Sequence, residues 1–126
     1  MTESKTIIQE SLSVKKYTKI NKELLYEEII ERLKILNPQK IILFGSYAYG
    51  VPDKDSDVDL FLIKEDLKIE DLTSYELQAM KNLRDLISKY KIGFDILAAP
   101  TKELYERKDY FYRVDILQKG KVIYAK

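Results

Sequence analysis

Apolar positions along the chain follow two patterns, short continuous runs and helical spacing, and together they predict the elements of one domain. Short apolar runs bounded by turn residues predict strands over 41–44, 58–63, 94–98 and 122–124, of which the first two are expected to be buried. Apolar residues at helical spacing predict helices over 21–36, over 72–90 and in the region after Pro100. The order helix, strand, strand, helix, strand, helix, strand predicts an α+β fold, a small mixed β-sheet with helices packed against it.

The predicted helices have recognisable ends and inner faces. Asn21 is a candidate N-cap for the first helix, and Asn37-Pro38 ends it because the residue before proline avoids helical backbone angles. A single helical turn is expected over 47–50. The expected inner stripe of the second helix is Met80, Leu83, Ile87 and Tyr90, and that of the C-terminal helical region is Leu104, Phe111, Val114 and Leu117.

Length and charge set the broad class of the protein. The chain has 126 residues, enough for one domain. We expect residues 1–20 to form an N-terminal arm of uncertain structure and residues 21–126 to form the domain. Lysine and arginine total 22 against 21 acidic residues, a formal net charge of +1. This balance provides no overall positive field for nucleic acid, so direct nucleic-acid binding is not expected.

Two missing residue types restrict the possible chemistry. The chain has no cysteine and no histidine, which excludes disulfides, thiolate or Ser-His-Asp catalysis, and zinc sites built from those ligands. No signal peptide is recognisable at the start, and the apolar runs are too short to span a bilayer. We therefore expect a cytoplasmic protein with no membrane contact, whose chemistry depends on carboxylates, hydroxyls, basic side chains and bound ions.

Two aspartates adjoin the second apolar strand. Asp57 and Asp59 are two residues apart, so in an extended chain their side chains leave the same face. Aspartate is uncommon in strands and is rarely buried unless it is paired or bound to a cation. Two carboxylates beside an apolar run would repel each other, and a divalent metal ion is the simplest remedy. Asp53 and Asp55, by contrast, are explained by an exposed acidic turn.

Two familiar loop motifs fail at this stretch. Gly45 and Gly50 have the glycine spacing of a phosphate-binding P-loop, but Val51 and Pro52 stand where lysine and serine or threonine are needed. The alternating aspartates begin like a calcium-binding EF-hand loop. Counted from Asp53, however, the glycine and glutamate positions of that loop hold valine and lysine.

The whole stretch resembles a known signature. Gly45-Ser46, ten residues and then Asp57-x-Asp59 is similar to the motif of the DNA polymerase beta-like nucleotidyltransferase superfamily, and most of all to its minimal nucleotidyltransferases. The element order over residues 22–124 agrees, as does a third acidic residue, Asp95, on a later strand. The resemblance implies a nucleotidyltransferase-like fold.

The resemblance also implies a reaction and a site. The expected reaction transfers a nucleoside monophosphate, AMP from ATP, to a hydroxyl group of a partner protein. Asp57, Asp59 and Asp95 would be catalytic and would hold Mg²⁺ (two ions, with Mn²⁺ as a substitute), and Asp95 would help deprotonate the acceptor. Gly45 and Ser46 would bind the nucleotide, Gly45 by allowing a close approach and Ser46 through its hydroxyl.

The resemblance leaves two roles open. Small relatives commonly work with a separately encoded helical partner of the HEPN type, as the antitoxin of a toxin–antitoxin pair, and modify that partner. Many relatives have a basic residue between the two motif glycines, where this chain has Tyr47, Ala48 and Tyr49. The alternative is therefore a non-catalytic binding subunit that neutralises its partner by contact. Either role predicts an exposed aromatic patch, for which the candidates are Tyr105, Tyr110 and Tyr112.

Overall fold

A computed structural model describes residues 20–126 of the chain. The expected arm, residues 1–20, lies outside this range except for Ile20. The strands are β1 (Lys40–Phe44), β2 (Val58–Ile63), β3 (Phe94–Ala99) and β4 (Lys121–Ala125). The α-helices are α1 (Lys22–Leu33), α2 (Ser46–Tyr49), α3 (Leu72–Asn82), α4 (Arg84–Tyr90) and α5 (Thr101–Glu106). Shorter helical segments are 3₁₀ turns at Lys34–Leu36 and Ile69–Asp71 and a π-helix at Phe111–Ile116.

The four strands form one mixed sheet in the order β3-β2-β1-β4. β1 is antiparallel to both β2 and β4, whereas β2 and β3 are parallel. The predicted α+β class with a small mixed sheet is therefore confirmed. Within residues 20–126, none of the helices has the length and apolar content that crossing a membrane requires.

Both faces of the sheet are covered, as the apolar character of β2 predicted. Alternate residues point to opposite faces of a strand. Ile41, Leu43, Leu60 and Leu62 face α1, α3 and α4, whereas Ile42, Phe44, Phe61 and Ile63 face α5 and the π-helix. The second of these faces, which also contains Leu104 and Ile116, is called the C-terminal face below.

The first helix has the ends that the sequence predicted. The Asn21 side chain accepts a hydrogen bond from the Leu24 backbone N–H at 3.1 Å, which caps α1. At the other end, Asn37 adopts a left-handed conformation (φ 57°) directly before Pro38. Leu25, Ile29 and Leu33 are fully buried against the sheet.

Two helical predictions need correction. The single helix expected over 72–90 is two helices, because the Leu83 N–H is shared between the carbonyls of Ala79 and Met80 and the hydrogen-bond ladder restarts there. In the C-terminal region, the Leu117 N–H bonds to the Tyr112 carbonyl five residues earlier, as in a π-helix. This wider turn buries Ile116 and leaves Leu117 39% exposed, so Leu117 is not on the inner face.

Candidate active site

The sequence-predicted residues meet at one end of the sheet. Phe44, the last residue of β1, is paired with Asp59 of β2. Asp59 is in turn paired with Asp95 of β3. The Gly45-Ser46 turn that follows β1 therefore lies at the same end of the sheet as both carboxyl groups. By strand alternation, Asp59 lies on the same side as Phe61, which is the C-terminal face.

The carboxyl groups of Asp59 and Asp95 lie close to each other but differ in exposure. Asp59 is half-buried, whereas Asp95, on the edge strand β3, is exposed. Burial raises the pKa of Asp59 to about 6, and a hydrogen bond with the Asp95 carboxyl and repulsion from Asp95 and Asp57 contribute further. Two carboxylates at close range repel each other, so their contact is more favourable when Asp59 is protonated.

Gly45 packs directly against the Asp59 carboxylate. Its backbone has φ +71°, a conformation that side-chain-bearing residues rarely adopt. A Cβ atom at this position would overlap the Asp59 carboxylate, whose Cγ would be only 3.0 Å away. The sequence predicted a close approach at Gly45, and the close approach in the structure is that of the Asp59 carboxylate.

The turn after Gly45 is closed by its own backbone. The Gly45 carbonyl accepts hydrogen bonds from the N–H groups of Ala48 (3.0 Å) and Tyr49 (3.1 Å). The first N–H groups of a helix have no acceptor within it, so those at the start of α2 remain free for other acceptors. The Ser46 hydroxyl begins this turn, and within residues 20–126 it makes no hydrogen bond.

Asp57 lies beside the other two aspartates but against a different neighbour. It is exposed and directly precedes β2, and its carboxylate contacts Gly93, where a Cβ atom would lie 2.5 Å from Oδ1. The adjacent Val58 N–H bonds to the Gly93 carbonyl at 2.9 Å. In the part of the chain that the structure describes, no three acidic side chains are close enough to form a ready-made metal site.

The available donors suit a hard divalent cation. Carboxylate oxygens are the ligands that Mg²⁺ takes in proteins, usually one or two per ion with water or substrate oxygens completing the shell. Asp59 and Asp95 provide such a pair, and repulsion from Asp95 and Asp57 adds to the effect of burial in raising the pKa of Asp59. A cation held by both groups would take the place of the proton between them, so the residues present fit Mg²⁺ or Mn²⁺.

The acidic turn before β2 has a structural explanation, as predicted. The Asp53 carboxylate accepts the Asp55 N–H at 2.8 Å, and the Ser56 hydroxyl accepts the Asp53 N–H at 2.9 Å. Asp53 and Asp55 are both exposed. Their side chains therefore shape and solvate the turn.

The tyrosines of the sequence analysis differ in exposure. Tyr47 is buried in the core, whereas Tyr49 is 46% exposed. In the predicted patch, Tyr105 and Tyr110 are 54% and 66% exposed. Tyr112 is partly buried and packs edge-on against Phe61 with ring centroids 5.6 Å apart, so it does not belong to an open patch.

Two further residues contact these elements, and neither could be identified from the sequence. Glu76 of α3 accepts the Ala98 N–H of edge strand β3 at 2.9 Å, which anchors the strand that carries Asp95. Lys119 extends over the ring of Tyr49, with Nζ 5.4 Å from the centroid. Both contacts join residues far apart in the chain, so no local pattern could have revealed them.

Comparison with known proteins gives a consistent picture. A family model described as "Polymerase beta, Nucleotidyltransferase" matches residues 27–126. The chain is 33% identical over 61 residues to the Methanocaldococcus jannaschii protein named "Putative protein adenylyltransferase MJ0141", a match that covers 48% of this chain and 54% of the relative. It is 28% identical over 112 residues to "Putative protein adenylyltransferase MJ0604" of the same organism, which covers 83% of this chain and 100% of the relative.

Two solved structures share the fold. One is a crystal structure of a toxin–antitoxin with AMP-PNP, with a TM-score of 0.54 and 21% identity. The other is a mutant of the toxin–antitoxin MntA–HpeT, with a TM-score of 0.53 and 18% identity. Each alignment covers 80% of this chain and 73% of the other chain.

Proposed function

The chain belongs to the polymerase beta nucleotidyltransferase family, and we propose that it transfers AMP from ATP to a hydroxyl group of a partner protein. In this proposal the partner is a separately encoded helical toxin of the HEPN type, and the chain is its antitoxin. The names of the two relatives support the protein acceptor, and the two toxin–antitoxin structures support the kind of partner.

One observation carries the catalytic part of the proposal. Asp59 and Asp95 are paired across two adjacent parallel strands, and their carboxyl groups meet beside the Gly45-Ser46 turn. A structural role alone would favour a single, fully ionised and solvated carboxylate at such a strand end. A half-buried carboxyl whose pKa is raised beside a second carboxyl, as that of Asp59 is, is typical of a site built to hold a cation or a proton.

The two carboxylates have different tasks in the proposed reaction. Asp59, half-buried and fixed against Gly45, would hold Mg²⁺ together with Asp95, and Asp57 would be the third ligand. When bound, Mg²⁺ neutralises phosphate charge and favours the in-line attack of an oxygen nucleophile. Asp95 is exposed on the edge strand, where a large acceptor can reach it, and would accept the proton of the attacking hydroxyl.

The bonds made and broken follow from this arrangement. The acceptor oxygen attacks the α-phosphorus of ATP, the bond from that phosphorus to the bridging oxygen of the β-phosphate breaks, and pyrophosphate leaves. The Ser46 hydroxyl and the first N–H groups of α2 would bind the terminal phosphates, since N–H groups at the start of a helical turn point at an anion.

An exposed apolar surface next to the site supports a protein acceptor. Leu97 is two residues from Asp95 on the same face of β3, and it is 41% exposed. Tyr105 and Tyr110 are exposed on the segment that follows this strand. Aromatic and aliphatic side chains of this kind are enriched at protein–protein interfaces.

The proposal is tested by following each phosphate of ATP. The protein is incubated with its cognate partner, Mg²⁺ and ATP labelled at either the α- or the γ-phosphate. Adenylyl transfer labels the partner from α-labelled ATP only, and the bond survives denaturation. Label transferred from γ-labelled ATP would indicate a kinase, and no transfer from either nucleotide would contradict the proposal.

A contact-only antitoxin is the second candidate. It is favoured by the absence, within residues 20–126, of three acidic groups close enough to hold a metal ion in advance. A contact-only antitoxin would neutralise its toxin with Asp57, Asp59 and Asp95 all replaced by asparagine. If the chain acts as an enzyme, the same triple variant should lose both adenylyl transfer and neutralisation of the toxin.

A further inference from the structure

The Gly45-Ser46 turn, the proposed phosphate site, has no basic residue to balance the charge of a triphosphate. ATP carries several negative charges, and this end of the sheet carries Asp57, Asp59 and Asp95. The turn itself contributes no basic residue between Gly45 and Gly50. Lys54 in the next turn lies between Asp53 and Asp55 in the chain. A further cation is therefore needed if the turn is to hold a triphosphate tightly.

Lys119 is placed to supply that cation. Its ammonium group lies over the Tyr49 ring, 5.4 Å from the centroid. The Tyr49 backbone N–H bonds to the Gly45 carbonyl at 3.1 Å, so the backbone that carries the ring is fixed within the turn. Lys119 is exposed and takes part in none of the ion pairs formed within residues 20–126. Its charge is thus available to an anion that approaches Gly45-Ser46.

The base of the Lys119 side chain is also fixed. Its backbone N–H bonds to the Val114 carbonyl at 2.8 Å, which closes the end of the π-helix. The next residue, Gly120, touches β1 so closely that a Cβ atom there would lie 2.6 Å from Ile42 Cγ2. The backbone at Lys119 is therefore held in place, so less conformational entropy is lost when the side chain binds a ligand.

A second lysine provides a natural comparison. The Lys22 ammonium lies 5.8 Å from the centroid of Tyr47, in the same turn. Tyr47, however, belongs to the core that α1, α3 and α4 cover. Lys119 follows the π-helix, which covers the C-terminal face, where Asp59 and Asp95 lie. Of these two lysines, Lys119 is the one on the side of the sheet that carries the carboxyl pair.

We propose that Lys119 binds the terminal phosphates of the nucleoside triphosphate and that Tyr49 holds its side chain beside the Gly45-Ser46 turn. This inference rests on the proposed function, since it assigns a phosphate contact within the same site. In this assignment the cation of the turn comes from a residue 70 positions after Tyr49 in the chain. Lys119 is a binding residue and takes no part in proton transfer.

The test compares the binding of ATP and AMP, measured by calorimetry on the full chain with Mg²⁺. Loss of one charged contact should weaken ATP binding by about 10-fold in Lys119→Ala. AMP, which lacks the terminal phosphates, should bind Lys119→Ala and wild type equally. Lys119→Arg should retain most of the ATP affinity because it keeps the charge and can stack on the ring.

Matched variants separate this role from a structural one. Lys22→Ala removes the equivalent lysine–tyrosine contact on the other side and should leave ATP affinity unchanged. Tyr49→Leu removes the ring under the Lys119 ammonium and should lose part of the ATP affinity, whereas Tyr49→Phe, which keeps a ring there, should lose less than Tyr49→Leu. Thermal unfolding of each variant checks that the fold is intact, and Lys119→Gln replaces Lys119→Ala if that variant is unstable.

Three results would overturn the inference. The first is unchanged ATP binding in Lys119→Ala, and the second is an equal loss of ATP and AMP binding in that variant. The third is a loss in Lys22→Ala as large as that in Lys119→Ala. In each case wild type still binds ATP, so the proposed function stands. A wild-type protein that binds no ATP would overturn both.

Discussion

Asp59 and Asp95 are register partners on the parallel strands β2 and β3, and their carboxyl groups repel each other when both are ionised. Asp59 is the half-buried partner and Asp95 the exposed one. The contact therefore depends on pH and on cations, and both dependences can be measured without knowing the acceptor.

The first prediction concerns stability and pH in the absence of metal. The pKa of Asp59 is about 6 in the folded protein, above its ordinary value of 3.8, so the folded state binds this proton more tightly than the unfolded state does. Its stabilising contribution is complete below pH 3.8 and is lost as pH rises through 6. We expect Asp59→Asn to be more stable than wild type at pH 8 by about 1–2 kcal/mol, after allowance for partial solvation.

Urea unfolding at pH 5 and pH 8 measures this difference. Asp55→Asn is the matched control, because it removes an exposed carboxylate of the neighbouring turn. The advantage of Asp59→Asn over wild type should grow between the two pH values, whereas Asp55→Asn should show little change. A constant difference for Asp59→Asn would mean that Asp59 does not titrate in this range.

The second prediction concerns divalent cations. Mg²⁺ or Mn²⁺ should raise the melting temperature of wild type, since a ligand that binds only the folded state stabilises it. The rise should be larger at pH 8 than at pH 5, because Asp59 must lose its proton to bind a cation. The double variant Asp57→Asn/Asp59→Asn should show no rise at either pH. A metal response that survives in this variant would place the cation elsewhere.

The third prediction uses the contact between Gly45 and Asp59. Gly45→Ala adds a Cβ atom that overlaps the Asp59 carboxylate, and it also strains a backbone with φ +71°. In an Asp59→Ala background only the backbone strain remains, at about 1–3 kcal/mol. The cost of Gly45→Ala should therefore be larger in wild type, with a coupling free energy of about 1–3 kcal/mol from a double-mutant cycle. Additive effects would show that the two residues do not touch.

The fourth prediction assigns the Ser46 hydroxyl to phosphate binding. Ser46→Ala removes one hydrogen bond to a charged group, worth about 1.5–3 kcal/mol, and should raise the Kd for ATP by roughly 10- to 150-fold. Equilibrium binding measures this directly. Ser56→Ala is a control, because the Ser56 hydroxyl bonds only within the acidic turn among the described residues. Equal ATP affinity in Ser46→Ala and wild type would remove Ser46 from the site.

The sequence allowed the strands and the first helix to be predicted because their signals are local. An apolar run defines β2 over Val58–Ile63, and a capping side chain with Asn37-Pro38 defines the limits of α1. Asp59 stood out because a carboxylate inside an apolar strand is costly. The α3–α4 break at Leu83 and the π-helix could not be predicted, since each depends on how backbone hydrogen bonds shift when the segment packs.

The sequence allowed the residues of the site to be predicted, but not which of them contact each other. Spacing and element order identified Asp57, Asp59 and Asp95, yet strand register decides that Asp59 meets Asp95 while Asp57 lies against Gly93. The position of Lys119 near the site could not be predicted, because it depends on the pairing of β4 with β1, two strands that are far apart in the sequence. That pairing brings the preceding loop beside Tyr49.

If the Asp59–Asp95 pair catalyses adenylyl transfer, replacement of Asp95 should slow the chemical step itself. The rate of label transfer from α-labelled ATP to the cognate partner is compared between wild type and Asp95→Asn, alongside the Kd of each for ATP. Removal of the group that accepts the hydroxyl proton should slow transfer by about 10²- to 10⁴-fold, a larger effect than that on ATP binding. Transfer by Asp95→Asn at the wild-type rate would rule out this catalytic role. So would a wild type that transfers no label while Asp57→Asn still neutralises the toxin in cells.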